Sequence, residues 1–308
     1  LRFFQTLDSN IREKVGHSYI SCENTAILML IFKKVADIRR WSARQNSPVG
    51  FAPTMGALHD GHLELIRMAK RDGCMAVASI FVNPTQFNDP RDLEKYPRTP
   101  EKDMALLLSA HCDALFIPSV EEVYPPGEKM EISLDFGALD QVMEGVFRPG
   151  HFKGMATVVH RLLDIVQPQR LYMGQKDFQQ LSIVRDMIRQ LALPIQLVMC
   201  PTVREADGVA MSSRNVRLSP EMRRIAPVIH QTLQTAKTAF ADGVPPEKIQ
   251  ADALLVLQTA GLRPEYFDIV DGVTLLPVQA GQKGGFVVAC TAAFAGEVRL
   301  IDNLVLAE

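Results

Sequence analysis

Cysteine is scarce in this chain. There are five in 308 residues, at positions 22, 74, 112, 200 and 290, odd in number and without CxxC spacing. That pattern excludes a disulfide framework and argues against a zinc site. Charge of one sign is also missing. Lysine and arginine total 33 against 35 aspartate and glutamate, a net charge of −2. Bulk charge therefore recruits neither nucleic acid nor a membrane surface. Long apolar runs are absent too. Ala26–Phe32, the longest near the start, is far short of the roughly 18 residues of a spanning helix. It is a poor signal peptide as well, with acidic residues before it, Lys33-Lys34 after it and no small-residue cleavage site. The composition reads as that of a cytoplasmic protein with buried thiols.

What is present is ordinary for a globular chain: 47% hydrophobic and 22% charged residues. The length suggests two domains. Residues 1–28 stand apart, with no clear turn or strand grammar, and read as a dispensable extension. From Met29 short apolar runs alternate with amphipathic helices. Val49–Ala52, Met75–Val82, Ala114–Ile117, Arg170–Met173 and Ile195–Cys200 read as strands. Val35–Arg44, Leu63–Arg71, Met155–Val166 and Leu181–Leu191 read as helices, as does a segment after Thr99-Pro100-Glu101. MAVASIFV at 75–82 is apolar on nearly every residue, as a strand covered on both faces should be. The alternation predicts an α/β fold, a Rossmann-like parallel sheet with helices on both faces, over 29–200. Beyond Arg214 the grammar changes. Ser219-Pro220-Glu221 opens a helix to about Ala241, Pro246–Ala260 is a second, and Tyr266–Val270, Phe286–Thr291 and Val298–Leu306 read as strands. This predicts a smaller α+β C-terminal lid domain over 201–308.

Polar clusters follow four of the predicted strands: PTMGALHDGH at 53–62, NPTQF at 83–87, GQKDFQQ at 174–180, and a longer segment ending in MSSRN at 211–215. In open α/β sheets, ligands bind outside the carboxyl ends of the strands, so four clusters there converge on one crevice. His59-Asp60-Gly61-His62 sits at a helix start, where free amides and the positive dipole end favour a phosphate. Gly61 leaves room for a nucleotide, and the histidines can donate to phosphate oxygens. The same residues would also serve as a capping aspartate between two surface histidines. A zinc reading lacks a third ligand. Lys176 can neutralise a phosphate oxygen and Asp177 can hold a ribose hydroxyl, or the two can form a solvated ion pair. Gln86 and Gln180 offer donor and acceptor to a small hydroxy acid. Ser212-Ser213-Arg214 can close over a triphosphate or act as a polar interdomain linker. Arg148-Pro149-Gly150-His151-Phe152 lines a site or caps the helix after it.

Together these residues resemble the pantoate–β-alanine ligase (pantothenate synthetase) family, within the nucleotidyl-transfer superfamily marked by HxGH. The likeness is carried by PTMGALHDGH, IFVNPTQF at 80–87, YPRTP at 96–100, RPGHFKG at 148–154, GQKDFQQ, MSSRN and Leu300-Ile301-Asp302-Asn303. It runs from about Met29 to the end. The resemblance implies condensation of (R)-pantoate with β-alanine through a pantoyl adenylate, with ATP as substrate and Mg²⁺ accompanying it, in a homodimer formed through the first domain. It implies that Met55, Gly56, Ala57, Leu58, His59, Asp60, Gly61 and His62 form a first ATP segment, with His62 in a proton-donor role. Gln86 and Gln180 would bind pantoate, and Gly174, Gln175, Lys176 and Asp177 the adenosine and its phosphates. Val203 would contact adenine, and Met211, Ser212, Ser213 and Arg214 would form a second ATP segment. His59, His62, Lys176 and Arg214 would act on the reacting phosphate. Gln175 and Thr85 depart from the residues many members carry there. The magnesium ligands are fixed by no motif; Asp103 is one candidate. Two rivals stand beside the ligase: an adenylyltransferase that keeps the nucleotide in its product, and a catalytically silent nucleotide-binding protein.

Overall fold

Seven strands form the first sheet, in the order β1-β2-β5-β4-β3-β6-β7. The computed structural model describes residues 18–22, 25–86, 94, 96–127, 132–279 and 285–308, with side chains for all of these except 18–22, 25–27 and 86. β2 (Thr25–Phe32), β5 (Ala114–Phe116), β4 (Met75–Ile80), β3 (Val49–Thr54), β6 (Arg170–Gly174) and β7 (Gln196–Cys200) run parallel. β1 (Ser18–Cys22) pairs antiparallel with β2 at one edge. Successive strand residues face opposite sides. Phe51, Val77 and Leu171 therefore join one core layer, with the His151–Val166 and Phe178–Gln190 helices. Ala52, Ala76, Ala78 and Tyr172 join the other, with the Asp60–Arg71 and Pro100–Ser109 helices. Both faces are covered, which is why the strands read as continuous apolar runs.

The sheet grows from β3 toward β4 and β5 on one side and, after the chain returns, to β6 and β7 on the other. The strand order thus reverses between β3 and β6. That reversal leaves a crevice at their carboxyl ends, where the 53–62 and 174–180 segments emerge.

The C-terminal unit is a three-stranded antiparallel sheet, order β10-β9-β8: β8 (Arg263–Asp271), β9 (Val287–Ala295) and β10 (Val298–Ala307). The Pro227–Ala241 and Pro246–Thr259 helices bury one face of it through Ile229, Leu233, Ile249 and Leu257. On the other face Val270, Val288 and Cys290 pack with Met143 and Phe178, so an apolar seam joins the two units.

Two readings of the sequence are corrected. The helix expected from Ser219 to about Ala241 is two, Pro220–Ile225 and Pro227–Ala241. Pro227 has no N–H to donate and its ring crowds the preceding turn. The stretch before Met29 does contain strand: β1, and the start of β2. The run Ala26–Phe32 is too short for a membrane but suits a buried strand, and Met29 and Phe32 lie in the core. The boundary drawn at 28/29 therefore falls inside β2. The cysteines at 74, 112, 200 and 290 are buried unpaired thiols. Among the described residues no helix is long and apolar enough to cross a membrane.

Candidate active site

β3 delivers the first segment. Thr54 anchors its start, donating from Oγ1 to Ser79 O at 2.6 Å and accepting from Gly56 N at 3.2 Å. Gly56 and Ala57 then take positive φ, 84° and 51°. Ala57 is the costly one, since a β-carbon disfavours that region. Asp103 holds it there. This carboxylate, 1% exposed, accepts from Ala57 N at 2.9 Å, Leu58 N at 2.8 Å and Thr99 Oγ1 at 3.1 Å. Asp103 is thus committed to backbone amides, which corrects its candidacy as a magnesium ligand. Leu58 turns its side chain into the core.

His59 caps the Asp60–Arg71 helix. Its Nδ1 accepts from Gly61 N at 3.2 Å, while His62 Nδ1 accepts from His59 N at 3.3 Å. This is a reciprocal capping box built from imidazoles. The rings lie 4.0 Å apart, centre to centre. The amides expected to be free for phosphate are therefore partly taken by the histidines themselves. Because each Nδ1 accepts an amide hydrogen, each neutral ring carries its proton on Nε2 and offers a donor there. Burial, and then Lys176, pushes the His59 pKa down to about 4. Burial, then His59 and Lys176, push His62 down to about 3. Both are neutral at physiological pH. The space at Gly61 is filled by His59: a β-carbon there would lie 2.9 Å from His59 Cε1. That corrects the reading of Gly61 as room for a nucleotide. Asp60 is exposed beside Arg67, 3.6 Å away.

β6 delivers the second segment. Gly174 ends the strand, Gln175–Asp177 form a 3-10 turn, and the Phe178–Gln190 helix follows at once. Lys176 forms no ion pair among the described residues, so the alternative of a solvated Lys176–Asp177 pair is not what is found. The turn is held from the C-terminal unit. Gln175 Nε2 donates to Asn303 Oδ1 at 3.1 Å, and Asn303 Nδ2 donates to the Gln175 and Lys176 carbonyls at 2.9 and 3.0 Å.

The third segment leaves β7. Met211 N donates to Val203 O at 3.0 Å beside a bridge between Arg204 and Ala210. This folds Val203 back against Met211. Asn215 Nδ2 donates to Glu205 Oε1 and Ala210 O, fixing the loop that carries Ser212, Ser213 and Arg214. The loop meets the first segment, since Met211 Cβ would be 3.8 Å from a β-carbon on Gly61. Tyr96 joins them from the YPRTP stretch. Its hydroxyl bonds Ser213, and burial raises its pKa.

A cleft of about 230 Å³ lies between the two units, lined by Lys176, Asp177, Gln180, Ser212, Arg214 and Arg299 among others. On its floor Glu144, 8% exposed, pairs with Arg299 at 2.9 Å and Arg148 at 3.4 Å. Burial alone would raise the Glu144 carboxyl, but the two guanidiniums outweigh it and hold it below its ordinary value. Asn83, 1% exposed, accepts from the Tyr124 hydroxyl at 2.9 Å and anchors the 84–86 turn through Thr85. Gln86 closes that turn, and its side chain lies outside the described residues, as does Phe87.

The 53–62, 174–180 and 211–215 segments thus meet as the sequence suggested. Sequence reasoning gave no role to Tyr96, Arg204, Glu144, Asn83, Asp302 or Asn303. Several stood inside quoted motifs, but their partners are remote in sequence. Asp103 had one usable signal, an acid in a helix first turn that is otherwise packed.

Comparisons with known proteins agree with one another. The sequence model described as "Pantoate-beta-alanine ligase" matches residues 30–305. The pantothenate synthetase of Porphyromonas gingivalis is 47% identical over 279 residues, covering 90% of this chain and 99% of that protein. That of Bacteroides thetaiotaomicron is 49% identical over 260 residues, 84% and 92% of the two chains. The crystal structure of pantothenate synthetase from Thermus thermophilus superposes with a TM-score of 0.84 at 44% identity, over 90% of this chain and 99% of that one. A pantoate–β-alanine ligase from Francisella tularensis, complexed with β-γ ATP and β-alanine, gives 0.74 at 34% identity, over 90% and 98%.

Proposed function

The chain belongs to the pantoate–β-alanine ligase family, and on that premise we propose how its residues divide the work. The reaction joins (R)-pantoate to β-alanine. A pantoate carboxylate oxygen bonds the α-phosphorus of ATP as the bond to pyrophosphate breaks. The β-alanine amine then bonds the acyl carbon of pantoyl adenylate and gives up a proton, and AMP leaves with the electrons of the acyl carbon–oxygen bond of that mixed anhydride. The products are (R)-pantothenate, AMP and pyrophosphate. No protein nucleophile is needed.

The first step gathers negative charge around one phosphorus, so donors aimed there stabilise the transition state more than the ground state. In our reading Lys176 and Arg214 supply the positive charge. His59 and His62 supply neutral Nε2–H donors. The proton-donor role attached to His62 starts, in the unliganded chain, from a neutral ring kept so by burial, which offers its Nε2–H to the phosphate. Met55–Leu58, Gly174–Asp177 with Gln175, Val203 and Met211–Arg214 surround the nucleotide. Gln180 faces pantoate from the cleft, with Gln86 as its counterpart. The observation that carries this reading is the meeting of the 53–62, 174–177 and 211–214 segments at the reversal point of the sheet.

Mg²⁺ enters, in this proposal, on the phosphates of ATP. Among the described residues no cluster of three acidic, histidine or cysteine groups would cage it, and Asp103 is occupied by amides. Magnesium is commonly held by substrate phosphates with few protein ligands, and no step here is derived through it. A homodimer through the sheet-bearing unit, a cytoplasmic setting, units at 29–200 and 201–308 with the latter as lid, and residues 1–28 dispensable for turnover even though they carry edge strand β1 and the start of β2 complete the proposal. The family match beginning at residue 30 supports the last point. A chain starting at Met29 should keep its turnover, and sedimentation should give a dimer. Loss of turnover would refute dispensability.

The deciding experiment is pyrophosphate release with each substrate omitted in turn. ATP and pantoate alone should give one turnover of enzyme-bound adenylate, and AMP should accumulate only when β-alanine is added. Release that ignores pantoate would overturn the assignment. A nucleotide-containing stable product would favour the adenylyltransferase.

A further inference from the structure

β10 reaches the site at Asp302 and Asn303, which are 5% and 2% exposed. Neighbouring residues of a strand face opposite sides, so one dipeptide can hold two different segments. Asn303 uses its whole side-chain amide on the Gln175–Asp177 turn, in the three bonds given above. Asp302 grips Arg204 with both oxygens. Oδ2 accepts from Nη1 at 2.6 Å, and Oδ1 accepts from Nη2 at 3.0 Å and from Asn303 N at 2.8 Å. Arg204 in turn donates from Nη1 to Gly208 O at 3.0 Å and pairs with Ala210. The root of the loop bearing Arg214 is thereby fixed.

We propose that Asp302-Asn303 is a positioning pair, in which Asn303 sets the turn of Lys176 and Asp302 sets the loop of Arg214. The inference rests on the reading of Lys176 and Arg214 as phosphate ligands. Its physical basis is the backbone. Lys176 forms no ion pair among the described residues, so the position of its side chain follows from the peptide it hangs on. The carbonyls of Gln175 and Lys176 take their hydrogen bonds from Asn303. Without that amide the turn keeps only its own 3-10 bonds and loses the brace that fixes it against the C-terminal unit, so the ammonium group is free to shift with it. The C-terminal unit, on this account, registers the two cations against each other without itself touching the phosphates.

The test is a double-mutant cycle between Asn303→Asp and Lys176→Ala, read by pantoate-dependent pyrophosphate release. Asn303→Asp keeps the size of the side chain and removes both donors. Two lost hydrogen bonds should lower kcat/KM for ATP by roughly tenfold, with KM for ATP rising more than KM for pantoate. In the Lys176→Ala background the same change should cost less than about threefold, since residues acting as a unit are not additive. A merely structural asparagine would give equal factors in both backgrounds, and that result overturns the proposal. If Asn303→Asp does not fold, Asn303→Ser, smaller and uncharged, enters the same cycle with the same criterion. Lack of pantoate-dependent release by the unsubstituted protein would instead sink the functional reading, and this inference with it. Normal release, weakened by Lys176→Ala but not by either Asn303 variant, sinks the positioning pair alone.

Discussion

Two turns face each other across the reversal point of the sheet, and they are built in opposite ways. The turn at 59–62 organises itself. His59 and His62 cap the helix and each other within four residues, and Gly61 leaves the room the His59 ring requires. The turn at 175–177 has its 3-10 backbone bonds but no side-chain cap. It takes its shape from Asn303, 128 residues from Gln175 in sequence. One is a local motif that a short peptide could encode. The other is braced by a side chain from the C-terminal unit.

The largest break in this contrast should come from Asp302→Ala. It removes the carboxylate from a buried bidentate pair and leaves Arg204 without it, a change that typically costs about 3–5 kcal/mol. Denaturant unfolding should show that loss, while the helix at 60–71 keeps its amide-exchange protection. Loss of protection in both places would mean the first turn is not self-organised. Next, His62→Ala should lower adenylate formation by about 10²–10³, the usual effect of removing one transition-state donor. Its melting temperature should fall by only a few degrees, the cost of the lost cap. Near-normal pyrophosphate release by this variant would remove His62 from the mechanism. Gly61→Ala ranks third. Alanine in a helix ordinarily adds up to about 1 kcal/mol over glycine, but here the new methyl meets the His59 ring. We expect no gain in stability and a roughly tenfold loss of activity, comparable with a lost cap. A more stable and fully active variant would show that the ring can move aside.

The last prediction concerns pH. Both histidines are lowered from an ordinary value near 6.5, to about 4 and about 3. Between those limits the unfolded chain binds protons that the folded chain refuses, so stability rises with pH there. The contribution is complete above about pH 6.5 and fades as the pH falls toward 4. His62→Gln should therefore flatten the acid side of a plot of melting temperature against pH. An unchanged slope would place the imidazole in a wetter setting than the one described.

The same contrast explains what could be read in the sequence. The HDGH turn was legible as a place, since helix start, glycine and imidazoles lie within one turn, but not in its workings: the cap belongs to His59 rather than Asp60, and the room at Gly61 is taken by the His59 ring. The covered parallel strands were legible because burial on both faces writes itself as MAVASI. Asn303 and Asp103 were not, since a side chain that braces a distant peptide leaves no mark at a fixed spacing. Pro227 was visible as a residue, but its effect depends on the helix being continuous up to it. β2 was hidden by its own uniformity, because a seven-residue apolar run carries no period to tell strand from helix.

The imidazole cap also bears on which metals the site can attract. Two histidines a ring's width apart would normally draw in a transition metal. Here each Nδ1 is engaged by an amide hydrogen and each Nε2 keeps its proton, so neither ring can offer a lone pair without breaking the cap or becoming an imidazolate. A metal taking either Nδ1 would therefore have to displace an amide hydrogen that now holds the helix start.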